Sequence, residues 1–201
     1  MRQAADAESG VEADSPRVPL RLSKLAFLFS ALAAVTAVYL ALPVAARPAA
    51  GTHAAAVELT ALDQGVLQQL NAIRKLHGLV PLKLDPSLNA SAAQHSNEMG
   101  ADGYFEHNSA DGTLFWKRIQ QFYPAVGYSY WSVGENLLWS APSVDPTQAM
   151  RMWMNSPEHR ANILDPRWRQ IGISAVHLDA APGTYQGLGV TIITTDFGVR
   201  R

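Results

Sequence analysis

Ser156-Pro157-Glu158-His159-Arg160-Ala161-Asn162-Ile163-Leu164 is the stretch on which the reading of this chain turns. Ser156 ahead of Pro157 is a cap-then-proline signal, so the segment reads as a short helical turn that presents His159. Gly134-Glu135-Asn136 and Phe105-Glu106-His107-Asn108 stand upstream of it. A histidine, a carboxylate and a second histidine from three distant segments are the groups that a small metal or acid/base pocket needs. His107, Glu135 and His159 are therefore the candidate ligand-binding residues.

Helical spacing surrounds these segments. Leu59, Leu62, Val66, Leu70, Ile73 and Leu76 recur three and four apart, which commits one face of a first helix to a core. Thr60 with Asp63 is suited to cap its start, and Gly78 marks its end. Asp85-Pro86 opens a second helix with Leu88, Ala92, His95 and Met99 on one stripe, where His95 reads as a hydrogen-bonded packing residue. Tyr104 to Gly112 reads as a loop carrying His107, and Thr113 to Phe122 as a short helix with Asp111 near its cap. A strand is predicted over Val133 to Leu138. Asp145-Pro146 starts a helix through Asn155 that buries Ala149, Met150 and Trp153. Gln170 to Val176 and Tyr185 to Thr195 are rich in Ile, Val and Thr and flank Ala181-Pro182-Gly183, the pattern of an antiparallel hairpin. Helices and strands in this mixture make the class α+β.

With 201 residues, 48% of them hydrophobic and 16% charged, the chain holds one ordinary globular domain and something more at its N-terminus. Sixteen Lys and Arg against seventeen Asp and Glu give a formal net charge of -1, so no basic face is advertised and nucleic acid is not an expected partner. The absence of cysteine excludes disulfides, thiol catalysis and cysteine-ligated zinc together.

The extra part divides into three. Residues 1–24 read as a disordered cytoplasmic tail, polar and of mixed charge up to Pro19. Leu25 to Ala46 is uncharged, rich in Ala and Leu, preceded by Arg17, Arg21 and Lys24 and followed by Arg47. As one hydrophobic helix it is long enough to cross a bilayer, with the upstream charges cytoplasmic and the domain outside. Val44-Ala45-Ala46 offers a signal-peptidase cut near Ala46 that would release a secreted domain, whereas the length and the polar leader favour an uncleaved signal anchor. Residues 47–56 form a linker with Pro48 and Gly51, and 57–201 the domain.

The order and spacing of these pieces resemble the CAP superfamily of cysteine-rich secretory, venom antigen and pathogenesis-related proteins, whose shared unit is the SCP domain. The bacterial, cysteine-free branch fits best. The resemblance runs from Leu67 to Gly198 through Leu70-Asn71 and Arg74, His95-Ser96, Phe105 and His107, Arg118, Gly134-Glu135-Asn136, Trp153 with Ser156-Pro157, His159-Arg160, Asn162-Ile163-Leu164 and Phe197-Gly198. It implies an α-β-α sandwich around a small antiparallel sheet, and a central cleft in which His107, Glu135 and His159 are three of four polar groups. Many eukaryotic members place the fourth, a glutamate, three residues after the tryptophan matching Trp153, where this chain has Ser156.

Neutral imidazoles at His107 and His159 are suited to zinc or another divalent metal. Glu135 has three roles open to it: a third ligand, an acceptor orienting an imidazole, or a base acting on bound water. A satisfied structural hydrogen-bond network is the competing reading of the same residues. Asn136 and Asn162 are expected to bind loop backbone, Arg160 to pair with a carboxylate, and Gly134 to permit close backbone approach. The Tyr128-Ser129-Tyr130-Trp131 run exceeds what one buried face needs, so part of it is expected at the surface.

The expected function is an extracytoplasmic binding module that holds a small molecule, a glycan or lipid-like ligand, in the cleft. The alternative is a metal-dependent hydrolase with Glu135 and His159 as its catalytic pair, and a further alternative is a cell-envelope scaffold. No His-Glu-x-x-His zinc motif or Gly-x-Ser-x-Gly elbow occurs. Ser156 is expected to cap its helix rather than act as a nucleophile.

Overall fold

The computed structural model describes residues 3–4, 7–12 and 59–201. The expected membrane segment 25–46 and linker 47–56 lie outside them, as does most of the expected tail. Two tail segments, β1 (Gln3–Ala4) and β2 (Ala7–Glu12), pair antiparallel with a central strand.

Helix α1 (Ala61–Leu76) starts on the capping box foreseen from Thr60 and Asp63, each side chain bonding the other's backbone N–H. Strand β3 (Lys83–Leu84) follows, then α2 (Pro86–Asp102), whose N-cap Asp85 accepts from the N–H groups of Ser87 and Leu88. Gly103 ends α2 in the left-handed conformation at φ 73°. Helix α3 (Phe115–Phe122) begins later than expected. Its N-cap is Leu114, with no side-chain cap, because Asp111 spends Oδ1 on the Thr113 N–H at 2.8 Å.

Strand β4 (Trp131–Ser140) is longer at both ends than predicted and buried along its whole length. Burial on both faces erases the alternation that would have marked its ends. Helix α4 (Pro146–Asn155) carries a capping box from Asp145 and Gln148, and α5 (Pro157–Ile163) follows at once. The expected cap at Ser156 does not form. Its Oγ lies 3.3 Å from a Glu158 carboxylate oxygen. Strands β5 (Gln170–Ala181) and β6 (Leu188–Arg200) make the expected hairpin, each longer than predicted, around a 3-10 turn at Gly183–Tyr185.

The sheet order is β1-β4-β6-β5-β3, with β2 also on β4. β4, β6 and β5 are antiparallel; β3 pairs parallel with β5, which makes the sheet mixed. Helices α2 and α3 cover one face and α1, α4 and α5 the other, a three-layer α-β-α sandwich. Val66, Leu70, Trp153, Ile173 and Phe197 are fully buried on the α1 side, and Leu88, Ile119, Tyr123 and Val133 on the α2 side. Each such side chain stabilises the fold by roughly 1.5–3 kcal/mol, enough to dispense with disulfides.

Buried polar anchors fix α5. The Arg74 guanidinium on α1 donates to the carbonyls of Ile163 at 2.6 Å and Asp165 at 2.9 Å, clamping the chain where α5 ends. Trp168 Nε1 donates to the Asn162 carbonyl at 3.0 Å from the same corner.

Candidate functional site

Glu135 lies in the middle of β4, and its neighbours in sequence point to the opposite face of the sheet. On the α1 side, a Cβ at Gly134 would lie 2.7 Å from Asn162 Oδ1 and 2.9 Å from Trp168, the close approach expected of this glycine. Asn136 donates to the His159 carbonyl at 3.1 Å, and Asn162 donates to the Glu135 carbonyl at 3.0 Å. The two asparagines thus bind backbone as expected, and they tie α5 to β4. Arg160 is exposed and makes no ion pair among the described residues.

The Glu135 side chain turns the other way, under α2 and α3, and is fully buried. One oxygen lies 2.8 Å from His107 Nδ1 and the other accepts from Arg118. Arg118 also donates to the His107 carbonyl at 2.8 Å, so one guanidinium holds both the acid and the loop that carries its histidine. His107 in turn sits edge-on to Phe115. Burial pushes the Glu135 carboxyl up, but the Arg118 charge and the His107 hydrogen bond outweigh it and hold the group below the usual carboxylate range.

His95, on α2 behind this pair, is fully buried and bonds the Glu106 carbonyl through Nε2 at 2.9 Å. It is the packing residue expected, and burial lowers its proton affinity. Arg118 and Asp196 were not among the residues singled out for the site. Asp196 on β6 is the register partner of Glu135, is fully buried, and has Ser91 and Glu135 as its polar neighbours. Burial and the Glu135 charge push its carboxyl well above the usual range.

The structure therefore brings His107 and Glu135 together directly. His159 is attached to the same strand through its backbone, by way of Asn136 on the other face. Among the described residues, no group of three or more His, Cys, Asp or Glu side chains is placed to hold a metal ion. The 2.8 Å contact with His107 Nδ1 places Glu135 where it can orient that imidazole.

A cavity of about 370 Å³ opens on the loop between α2 and α3, and none of His107, Glu135 and His159 lines it. Asp102, Glu106, Asn108 and Ser109 line it beside Tyr104, Ala110 and Gly112, a wall of mixed polar and apolar character open to solvent. The loop is braced from behind by Glu98, which accepts from the Ala110 N–H at 2.9 Å.

This three-layer sandwich is the architecture of an SCP domain. The model of the cysteine-rich secretory protein family matches residues 67–188, and the chain belongs to that family. It is 33% identical over 134 residues to the protein YkwD of Bacillus subtilis, a match covering 67% of this chain and 50% of that protein. The chain thus spans half the length of that relative. An extracellular SCP-domain protein of Bacillus anthracis superposes with a TM-score of 0.51 at 27% identity, over 72% of this chain and 45% of that one. An outer surface protein of Borrelia burgdorferi shares the fold with a TM-score of 0.55 at 19% identity, over 72% of this chain and 97% of that one.

Proposed function

We propose that this protein is an extracytoplasmic binding module whose cavity on the loop between α2 and α3 takes a small hydroxylated ligand such as a short glycan. The observation that carries the reading is the commitment of both Glu135 oxygens. A carboxylate engaged by Arg118 on one side and His107 on the other, with its proton affinity lowered, is a poor general base at neutral pH. It is a good strut for the loop that walls the cavity. Glu106, Asn108 and Ser109 offer hydrogen-bonding groups to hydroxyls, which favours a glycan over a lipid chain. An extracytoplasmic address accords with the extracellular SCP-domain protein of Bacillus anthracis.

The test is titration calorimetry on the full chain in detergent micelles, with N-acetylglucosamine tetramer as one probe and zinc as the other. Heat from the glycan that is lost in Asn108→Ala, with equal zinc response in the parent and the His107→Ala/His159→Ala variant, is the expected result. Stoichiometric zinc binding that disappears in the double variant would instead favour the metal-dependent hydrolase.

A further inference from the structure

Four arginines, Arg167, Arg169, Arg200 and Arg201, converge where β4 begins and β6 ends. Arg200 is the register partner of Trp131, Tyr130 and Arg201 exchange both backbone hydrogen bonds at 2.8 and 3.0 Å, and the Arg169 N–H donates to the Gly198 carbonyl. Three tyrosines share the corner. The Arg200 guanidinium lies over the Tyr123 ring at 4.0 Å and the Tyr128 ring at 4.9 Å, and that of Arg201 over Tyr130 at 4.7 Å.

Two carboxylates answer these four charges among the described residues. Asp165 is committed to Arg167 at 2.7 Å. Asp85 meets Arg200 at 3.8 Å, but it already accepts from the Ser87 and Leu88 N–H groups as the cap of α2 and from Gln170 at 2.7 Å. Arg201 and Arg169 have no acidic partner among the described residues, although Arg169 Nη1 donates to the carbonyls of Pro166, Arg167 and Trp168. Among the side chains described, positive charge thus gathers at this end of the sheet. The corner is also open: Tyr128 is 44% exposed and Val126 87% exposed, on the loop that turns at Gly127 with φ 89°.

Guanidiniums held flat against tyrosines are pre-organised donors, and the exposed Tyr128 ring beside them is an apolar plate, whereas Tyr123 is buried. Sugar rings stack on such plates, while acidic groups on the same rings take the arginine forks bidentately. We propose that this corner binds an anionic sugar polymer, a saccharide chain bearing carboxylates or phosphates. The site is separate from the cavity on the loop between α2 and α3 and does not depend on it.

The experiment is biolayer interferometry of the full chain in detergent micelles. The surfaces carry polygalacturonate, phosphomannan, neutral dextran, sugar-free polyglutamate or single-stranded DNA. Binding to polygalacturonate or phosphomannan that weakens as salt rises is expected, with none to dextran and at least fivefold less to polyglutamate and DNA. Tyr128→Ala/Arg201→Gln, chosen because neither side chain is buried, is expected to lose at least fivefold at an unchanged melting temperature. Arg151→Gln, an exposed arginine on α4 outside the corner, is expected to bind like the parent, as is the cavity variant Asn108→Ala. Failure on both acidic polymers, binding to polyglutamate or DNA as tight as to them, or full binding by the Tyr128/Arg201 variant would overturn the proposal.

Discussion

Glu135 and Asp196 face each other directly across β4 and β6, both carboxyls fully buried under α2. One guanidinium, Arg118, serves the pair, and it reaches Glu135. Two buried anions against one cation is the costly arrangement, so the proton stays where the cation is not. The arrangement favours Glu135 as the ionised member and Asp196 as the protonated one.

That division predicts the pH dependence of stability. Asp196 keeps its proton in the fold, whereas the unfolded chain releases it near pH 4, the ordinary aspartate value. Its contribution is therefore complete below about pH 4 and is lost as pH rises through the raised folded value, at most roughly 1.4 kcal/mol per pH unit. Glu135 works the other way, stabilising above the ordinary glutamate range and failing as pH falls through its lowered value. Denaturant unfolding of the full chain across pH 4 to 9 should show the alkaline loss, and Asp196→Asn, which cannot ionise, should flatten it. An unchanged slope in the asparagine variant would mean that Asp196 is ionised in the fold.

Arg118 should be the most sensitive residue of the site. Removing it leaves the Glu135 carboxylate buried beside Asp196 and frees the His107 carbonyl, so Arg118→Met is expected to cost about 3–5 kcal/mol. Glu135→Gln in the same chain removes the stranded charge and should recover a large part of that loss. A double-mutant cycle by urea unfolding measures the coupling, and additive losses would show that the pair does not act as a unit.

How much of this was legible beforehand follows from where the information sits. Thr60, Asp85 and Asp145 announced their helices because a cap is written within four residues of sequence. The ends of β4 were not legible, since burial on both faces removes the period that marks a strand. The three glutamate-and-histidine segments stood out as motifs, but Asp196 did not. Its importance comes from standing opposite Glu135 in the sheet register, and nothing local to Thr195-Asp196-Phe197 carries that pairing. Arg118 stood in the resemblance without a role, because its reach to Glu135 spans α3 and β4.

The caps give a contrast in which the sequence signal was the same and the structure differs. Asp145 and Ser156 each precede a proline, yet Asp145 closes a capping box and the Ser156 hydroxyl touches only the exposed Glu158. Asp145→Ala is expected to lose about 1 kcal/mol and Ser156→Ala less than about 0.5 kcal/mol, read from thermal unfolding. A larger loss at Ser156 would assign its hydroxyl a role that its hydrogen bonding does not account for.

Two glycines should separate soft from hard crowding. A methyl at Gly134 meets the Asn162 amide and the Trp168 ring, side chains that can shift by tenths of an ångström at the expense of the bonds tying α5 to β4. Gly134→Ala is expected to cost about 1–3 kcal/mol. At Gly172 the methyl would overlap the backbone of Leu88 and Asn89, where α2 lies flat on the sheet, and no rotamer change relieves it. Gly172→Ala must lift the whole helix, and with it His95, Ser91 and the roof over Glu135 and Asp196. It should destabilise more than Gly134→Ala in urea unfolding and should also disturb the His107 imidazole resonances by NMR, which Gly134→Ala on the opposite face should leave nearly unchanged. Equal perturbation of His107 by the two variants would show that α2 does not set the geometry of the His107–Glu135 pair.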